Sequence, residues 1–352
     1  MSVTPPRWRP LRVAAVVDET HDSKSIVFDV PADQAETFRY RPGQFLTLRL
    51  PVGGRHLPRC YSMSSAPAVD AAPRVTVKRV DRGRGSNWLC DHVQPGSVLE
   101  VLPPAGVFTP RKLEGDFLLL AGGSGITPVF SILRSVLAAG QGRITLIYAN
   151  RDERSVIFKR ELTALAGAHP QRLLVIHWLD SVQGVPSVAQ LAELATPFRK
   201  GQAFICGPAP FMDASVAALQ GIEMDAEHIH VERFASLPDE EDTAAAAAAS
   251  EAAPAAAAAV DEAQVEVRIG GTTHHIVCGG NETLLEAALR QGIDAPYSCQ
   301  AGMCASCMCQ MVSGEVHMRT NDVLDKKDLA KGWVLACQAV PLTPQIAVKY
   351  PQ

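Results

Sequence analysis

Four cysteines in the last sixth of the chain have the types and spacing to hold a metal cluster. Cys299, Cys304 and Cys307 form a C-x4-C-x2-C stretch, and Cys337 follows after 29 intervening residues. Four thiolates suit a [2Fe-2S] cluster, because each of its two irons takes two soft sulfur ligands. Structural zinc usually shows two C-x2-C pairs, and disulfides are rare without a secretion signal, so both alternatives are weaker. Gly302 predicts a backbone conformation that a Cβ would forbid.

Nearer the N-terminus, one short segment combines a cation, an aromatic ring and a hydroxyl group. Arg59, Tyr61 and Ser62 form an R-x-Y-S string, which we expect to alternate on one face of a strand. There they would meet a phosphate, a flat ring and a ring nitrogen in turn, whereas the alternative is a set of plain surface residues. The stretch 83–89 predicts a glycine turn that opens a helix, whose free N–H groups donate hydrogen bonds to a pyrophosphate. A hairpin loop followed by an N-cap is the alternative for that stretch.

A second glycine turn marks a candidate nucleotide site. The apolar segment 117–121 runs into a G-x-G-x-T-P sequence, and a helix is predicted over 129–139. Strand, glycine turn and helix form the first unit of a nucleotide-binding α/β domain, although a lone motif short of the full G-x-G-x-x-G is weak. Cys206 and Gly207 follow a later apolar strand, at the carboxyl end where such folds bind ligands.

The elements that must position the residues before position 237 are of two kinds. Short alternating segments with Pro-Gly turns come first and predict an antiparallel barrel. Apolar strands between helical segments follow and predict a parallel sheet. The predicted domains are an antiparallel β-barrel at 1–113, an α/β parallel-sheet nucleotide domain at 114–236, an alanine- and acid-rich linker at 237–262 and a cluster domain at 263–352.

Composition excludes some classes of function. Hydrophobic residues make up 47% and charged residues 20% of the 352 residues, as in ordinary soluble globular proteins. The net charge of −4 gives no reason to expect a nucleic-acid partner. The sequence contains no uninterrupted run of about 20 strongly apolar residues, so we expect no membrane anchor. Residues 1–10 lack the apolar core of a signal peptide, so none is predicted. The remaining cysteines lack disulfide-like spacing, so we expect a reducing, cytoplasmic location.

Two family resemblances connect these segments. Residues 264–350 resemble the plant-type ferredoxins, which implies an α+β β-grasp fold with the four cysteines as [2Fe-2S] ligands. Residues 7–236 resemble the ferredoxin–NADP reductase superfamily, because R-x-Y-S, G-x-x-S, G-x-G-x-T-P, C-G-P and E-x-F occur in that family's order. This resemblance implies FAD contacts from Arg59, Tyr61, Ser62, Lys78, Gly83, Gly85, Ser86 and Phe234, NAD(P)H contacts from Gly123, Gly125, Thr127, Pro128, Cys206 and Gly207, and catalytic roles for Cys206, Glu232 and Ser62.

The order of the domains resembles the reductase components of multicomponent oxygenases, in particular the 3-ketosteroid 9α-hydroxylase and phenylacetyl-CoA epoxidase types. The resemblance implies that electrons pass from NADH or NADPH through FAD and a [2Fe-2S] cluster to a partner oxygenase. A hybrid-cluster protein or an acyl desaturase is an alternative acceptor, and a redox sensor without steady turnover is a third hypothesis. After the strand that ends at Tyr148 the chain offers both Arg151 and Asp152. An acidic residue that binds the ribose hydroxyls favours NADH, whereas an arginine accommodates the 2′-phosphate of NADPH. The resemblance favours NADH.

Overall fold

The computed structural model describes residues 8–234, 260–300, 302, 304–321, 323–324 and 326–351. The chain divides into two compact units, Met1–Phe234 and Ala235–Gln352. The predicted linker lies outside the described residues as far as residue 259. The four domain limits drawn from the sequence therefore stay predictions.

The N-terminal part of the first unit is an antiparallel barrel. Its strands follow the order β4-β3-β6-β1-β2-β5, and a bridge between Met63 and Val75 joins the two ends. Alternate side chains such as Leu46 and Leu48 fill the interior, which confirms the predicted barrel architecture. Helix α1 (Arg84–His92) packs on β3 and β5. The strands are β1 (Arg9–Thr20), β2 (Ser23–Asp29), β3 (Phe45–Val52), β4 (Arg55–Ser62), β5 (Arg74–Lys78) and β6 (Val98–Val101).

The rest of the first unit is a parallel five-stranded sheet of order β11-β10-β7-β8-β9 with a hydrophobic core on each face. Successive residues of β7 alternate between the two cores, so this strand is buried on both sides. The strands are β7 (Phe117–Gly122), β8 (Ile144–Asn150), β9 (Leu173–Leu179), β10 (Gln202–Cys206) and β11 (Ile229–Glu232). The helices are α2 (Ile126–Ala139), α3 (Lys159–Ala168), α4 (Asp180–Gln183), α5 (Val188–Ala195) and α6 (Ala209–Gly221).

Helix α2 begins three residues before the predicted start. Pro128 lies in its first turn, where a residue needs no backbone hydrogen-bond donor, so the proline does not delay the helix. The same helix binds the barrel: the Ser131 hydroxyl donates to the Ser65 carbonyl at 2.6 Å, and Arg134 pairs with Asp70. The element that carries the nucleotide turn is therefore fixed to the loop that follows β4.

The second unit is built on a mixed sheet of order β13-β12-β18-β14-β16, in which β12 and β18 are parallel. Helix α7 (Leu284–Arg290) starts after Thr283, whose hydroxyl caps it, and buries Leu284 and Leu285 in the core. This arrangement is consistent with the predicted β-grasp domain. The remaining elements are β12 (Glu262–Ile269), β13 (Thr272–Gly279), β14 (Met308–Ser313), β15 (Val316–Met318), α8 (Lys326–Ala330), β16 (Trp333–Leu335), β17 (Ala339–Pro341) and β18 (Gln345–Lys349).

Candidate cofactor sites

The four predicted cluster cysteines are buried together in the second unit, each 7% exposed or less. The side chains of Cys299 and Cys304 interact with each other, as do those of Cys307 and Cys337. Two thiol pairs match a [2Fe-2S] cluster, which takes two thiolates on each iron. Among the described residues, no group of three or more His, Cys, Asp or Glu side chains is arranged to hold a single metal ion. The pairing of Cys299 with Cys304 and of Cys307 with Cys337 fits the predicted two-iron cluster.

Backbone geometry explains how the cysteine loop keeps its shape. Gly302 has a φ of +77°, and a Cβ there would lie 2.7 Å from the Thr320 carbonyl oxygen, so only glycine fits. Gln300 and Ala305 also adopt positive φ, of +56° and +55°, which costs a non-glycine residue about 1–2 kcal/mol. The Gln338 side chain donates to the Gln300 carbonyl at 3.0 Å and ties the Cys337 segment to the loop.

The R-x-Y-S strand meets the start of α1. A Cβ built on Gly85 would lie 3.0 Å from the Arg59 Cγ and 3.3 Å from the Tyr61 Oη, so glycine leaves space where these side chains converge. A guanidinium, a phenol ring and the N–H groups of a helix N-terminus fit a flavin with its phosphates. Burial raises the pKa of Tyr61 well above its ordinary value, which keeps the phenol neutral. Ser62 is the next residue of the strand, so it lies on the opposite face, contrary to the one-face expectation.

The other predicted flavin residues lie around this strand. The Ser86 hydroxyl accepts a hydrogen bond from the Val80 N–H at 3.2 Å and closes the turn before α1, which Gly83 caps. The Lys78 Nζ lies 3.8 Å from an Asp22 carboxylate oxygen and 3.9 Å from the place where a Cβ of Gly123 would be. Lys78 thus reaches the nucleotide turn from the barrel side.

The nucleotide turn packs backbone against backbone with the end of β10. A Cβ on Gly125 would lie 2.1 Å from the Cys206 carbonyl oxygen, and one on Gly207 would lie 2.9 Å from the Gly122 nitrogen. The sheet continues from β7 through β8 on one side and through β10 on the other, so the strand order reverses at β7. The crevice at such a reversal is where these folds bind nucleotides. The Thr127 hydroxyl donates to the Ser124 carbonyl at 3.1 Å, and the Ile126 N–H donates to the Gly123 and Ser124 carbonyls. Pro128 lies in the first turn of α2 and has no N–H to donate.

The predicted hydride-transfer residues lie at the carboxyl ends of two neighbouring strands. Cys206 and Glu232 are paired residues of β10 and β11. Cys206 is fully buried, and this burial together with the nearby Glu232 charge raises the pKa of its thiol well above the ordinary value. The Cys206 side chain is therefore a neutral thiol at physiological pH. Phe234 follows two residues later and is 46% exposed, which leaves its ring available to a ligand.

Comparisons with known proteins match these sites domain by domain. Residues 10–109 match an oxidoreductase FAD-binding domain, 119–217 an oxidoreductase NAD-binding domain and 267–342 a 2Fe-2S iron-sulfur cluster binding domain. The ferredoxin reductase component of 3-ketosteroid-9-alpha-monooxygenase from Rhodococcus rhodochrous is 51% identical over 97% of this chain and 96% of that protein. The chain belongs to the family of ferredoxin reductase components of monooxygenases.

More distant relatives extend the comparison. One component of the 1,2-phenylacetyl-CoA epoxidase from Escherichia coli is 36% identical over 97% of this chain and 98% of that component. Phthalate dioxygenase reductase shares the fold, with a TM-score of 0.60 and 24% identity over 97% of this chain and 98% of that one. This ferredoxin reductase component therefore works with FAD, NAD(P)H and a [2Fe-2S] cluster. In its described residues no helix has the length and apolarity needed to cross a bilayer.

Three polar groups of this ferredoxin reductase component were not singled out from the sequence. Asp22, in the turn between β1 and β2, pairs with Arg151 across 129 positions of the chain, at 3.1 Å. Within the described part of the chain, the Asn150 amide atoms and one Asp180 carboxylate oxygen are buried without a hydrogen-bond partner, although Asn150 lies beside the Tyr148 hydroxyl. Both residues lie at strand ends on the coenzyme edge of the sheet, where orphaned polar atoms suit a ligand. No local sequence pattern marks these residues.

Proposed function

We propose that this chain supplies electrons from NADH or NADPH to a terminal oxygenase that hydroxylates a 3-ketosteroid. The observation that carries the proposal is the full-length similarity to the Rhodococcus reductase component, at 51% identity, combined with three cofactor sites in one chain. The relatives named above serve a monooxygenase and an epoxidase, which favours an oxygenase over a hybrid-cluster protein or a desaturase as acceptor. The thiol-rich chain, with no disulfide among its described cysteines, supports a cytoplasmic location.

When bound, FAD supplies the conversion of a hydride into single electrons, and the cluster supplies a one-electron carrier. In the proposed flavin site the Arg59 guanidinium and the first turn of α1, with Gly83, Gly85 and Ser86, would bind the phosphates. Tyr61 would lie against the flavin ring, while Ser62 and Lys78 would hydrogen-bond to bound flavin. Phe234 would cover the ring and exclude water from it.

In the proposed coenzyme site, the backbone of Gly123 and Gly125 and the helix start at Thr127 and Pro128 bind the diphosphate. Gly207 would keep the backbone close enough for the nicotinamide to reach the flavin. The neutral Cys206 thiol and the Glu232 carboxylate would orient the nicotinamide. Cys206 is fully buried and Glu232 is half-buried, which would limit the water near the transferred hydride. Cys299, Cys304, Cys307 and Cys337 hold the cluster, with each thiol pair serving one iron.

A reconstitution experiment tests this function. In air-saturated buffer, which supplies O2, the holoprotein, a purified 3-ketosteroid hydroxylating oxygenase, a 3-ketosteroid and NADH should together give the hydroxylated steroid, detected by mass spectrometry. Omission of the chain should abolish the product. If NADH-driven reduction of ferricyanide proceeds but no hydroxylated steroid forms, the acceptor is wrong. If neither reaction proceeds, the chain is not a turnover reductase and the redox-sensor hypothesis is favoured.

A further inference from the structure

One carboxylate in the first unit faces two cations from two other elements. The Asp22 Oδ2 lies 3.1 Å from the Arg151 Nη2 and 3.8 Å from the Lys78 Nζ. Its Oδ1 accepts a hydrogen bond from the Thr20 hydroxyl at 2.8 Å, which fixes the carboxylate in the turn between β1 and β2. The Asp22 side chain is only 16% exposed, whereas that of Arg151 is 65% exposed. Asp22 is therefore the anchored partner and Arg151 the movable one.

The cluster of Asp22, Lys78 and Arg151 borders the proposed coenzyme site at two points. Lys78 reaches the diphosphate turn at Gly123. Arg151 follows β8 directly, and the residues after the second strand of such a domain meet the adenosine ribose. NADPH differs from NADH only by a phosphate on that ribose. A residue that controls Arg151 therefore acts where the two coenzymes differ.

We propose that Asp22 makes the chain prefer NADH, by holding Arg151 away from a 2′-phosphate and by repelling that phosphate itself. This inference rests on the proposed function and names its coenzyme. A 2′-phosphate carries about −1.5 to −2 charges, so it needs a free guanidinium, whereas the ribose hydroxyls of NADH do not. To bind NADPH, Arg151 must leave Asp22, which removes the nearer of its two cations, and bring the phosphate near that carboxylate. Like charges placed together are costly.

Neighbouring residues do not offset this effect. Asp152 adds another negative charge, and one of its carboxylate oxygens is engaged by the Ser155 N–H and hydroxyl, both at 3.0 Å. That contact caps the short turn after β8 and fixes Asp152 in place. Lys78 already shares the Asp22 oxygen with Arg151. The exposure of Arg151 screens its ion pair, so the effect on coenzyme choice is limited.

The test compares kcat/KM for the two coenzymes, with ferricyanide as acceptor so that no oxygenase is needed. The wild type should prefer NADH. Asp22→Asn keeps the shape of the side chain and removes its charge, and it should raise the NADPH-to-NADH ratio of kcat/KM about tenfold, or ~1.4 kcal/mol. Adding Arg151→Ala to that variant should cancel the gain, since the freed guanidinium is then missing. Asp18→Asn is the matched control: it lies in the same hairpin, pairs with Lys24 at 3.4 Å, and should leave the ratio unchanged.

Calorimetry gives a second readout that is independent of turnover. Adenosine 2′,5′-bisphosphate should bind Asp22→Asn about tenfold more tightly than the wild type, whereas 5′-AMP should show no such difference. An NADPH-preferring wild type, or an Asp22→Asn variant with normal flavin content and an unchanged ratio, would overturn the proposal. Should Asp22→Asn not fold, Arg151→Ala alone decides: the proposal expects little change in the ratio, and a large loss of NADPH use refutes it. Absence of NADH-driven ferricyanide reduction in the wild type would instead contradict the proposed function.

Discussion

Three of the four cluster ligands in the second unit lie within one nine-residue stretch, whereas the sites of the first unit draw on residues from 59 to 234. The cluster site is made of side-chain donors, and the glycine in its loop serves only to bend the backbone. The flavin and coenzyme sites depend largely on the absence of side chains at glycine turns, which lets backbone segments approach each other and a ligand. A local site, built mostly from one stretch of sequence, should be lost when a donor atom is removed. An assembled site, built from distant segments that meet on folding, should be lost when an extra atom fills its space.

The largest effect should come from removal of one donor. Cys304→Ser replaces a soft thiolate by a hard oxygen, and we expect complete loss of the iron–sulfur absorbance and of protein-bound iron. FAD content and NADH-driven ferricyanide reduction should remain, because the flavin residues belong to the other unit. Absorbance spectra with iron and flavin analysis provide the measurement.

Cys309→Ala is the matched control for that variant. Cys309 is fully buried in β14, two residues from a ligand, and interacts with Cys337. The control should lose stability by about 1 kcal/mol from a small cavity and keep its cluster. Loss of the cluster in this control would mean that the four ligands are wrongly assigned.

Spacing alone predicts the local cluster site, whereas the residues of the flavin and coenzyme sites are predicted only through the family resemblance, and their contacts are not predicted. The C-x4-C-x2-C stretch predicts its ligands because the spacing itself sets the geometry. The meeting of Arg59 with Gly85 needs the barrel, since β4 and α1 lie side by side only after folding. The pair between Asp22 and Arg151 needs both domains of the first unit, and nothing in either local segment predicts it. The predicted start of α2 is three residues late, because a proline can end a helix or lie in its first turn and the local sequence does not decide between the two.

A smaller but still large effect should come from one added methyl group in the first unit. A Cβ at Gly125 would lie 2.1 Å from the Cys206 carbonyl oxygen, so Gly125→Ala must push apart the turns after β7 and β10. We expect kcat/KM for NADH to fall about 100-fold, or ~3 kcal/mol, the upper end of the cost of overpacking. Steady-state kinetics with ferricyanide measures the loss, and the iron–sulfur absorbance should not change.

Gly167→Ala controls for the glycine substitution itself. Gly167 lies in helix α3, and a Cβ there meets no atom within 4 Å. This change should stabilise the first unit by about 0.5–1 kcal/mol and leave the kinetics alone. Equal losses of activity in the two variants would show that the close approach of the Gly125 turn to β10 is unimportant.

The smallest expected effect concerns stability and sharpens the contrast between the two units. The Thr283 hydroxyl accepts from the Glu286 N–H at 3.2 Å, and the Glu286 carboxylate accepts from the Thr283 N–H at 2.8 Å, so the pair closes the start of α7. Thr283→Ala removes this cap at a cost of about 1 kcal/mol. In a domain of 60–100 residues that lowers Tm by about 4–8 °C. We therefore expect the temperature at which the iron–sulfur absorbance is lost to fall by this amount, while the temperature of flavin release stays the same.

Ser187→Ala provides the reciprocal test, because Ser187 and Gln190 form the same kind of capping box at α5 of the first unit. That variant should lower the flavin-release temperature and leave the loss of cluster absorbance unchanged. Its shift should be the smaller of the two, because Ser187 is exposed whereas Thr283 is 2% exposed, and a hydrogen bond in contact with water contributes less. If each substitution moved both transitions equally, the two units would unfold as one cooperative body. The division between a locally built and an assembled site would then describe the chemistry of the chain but not its stability.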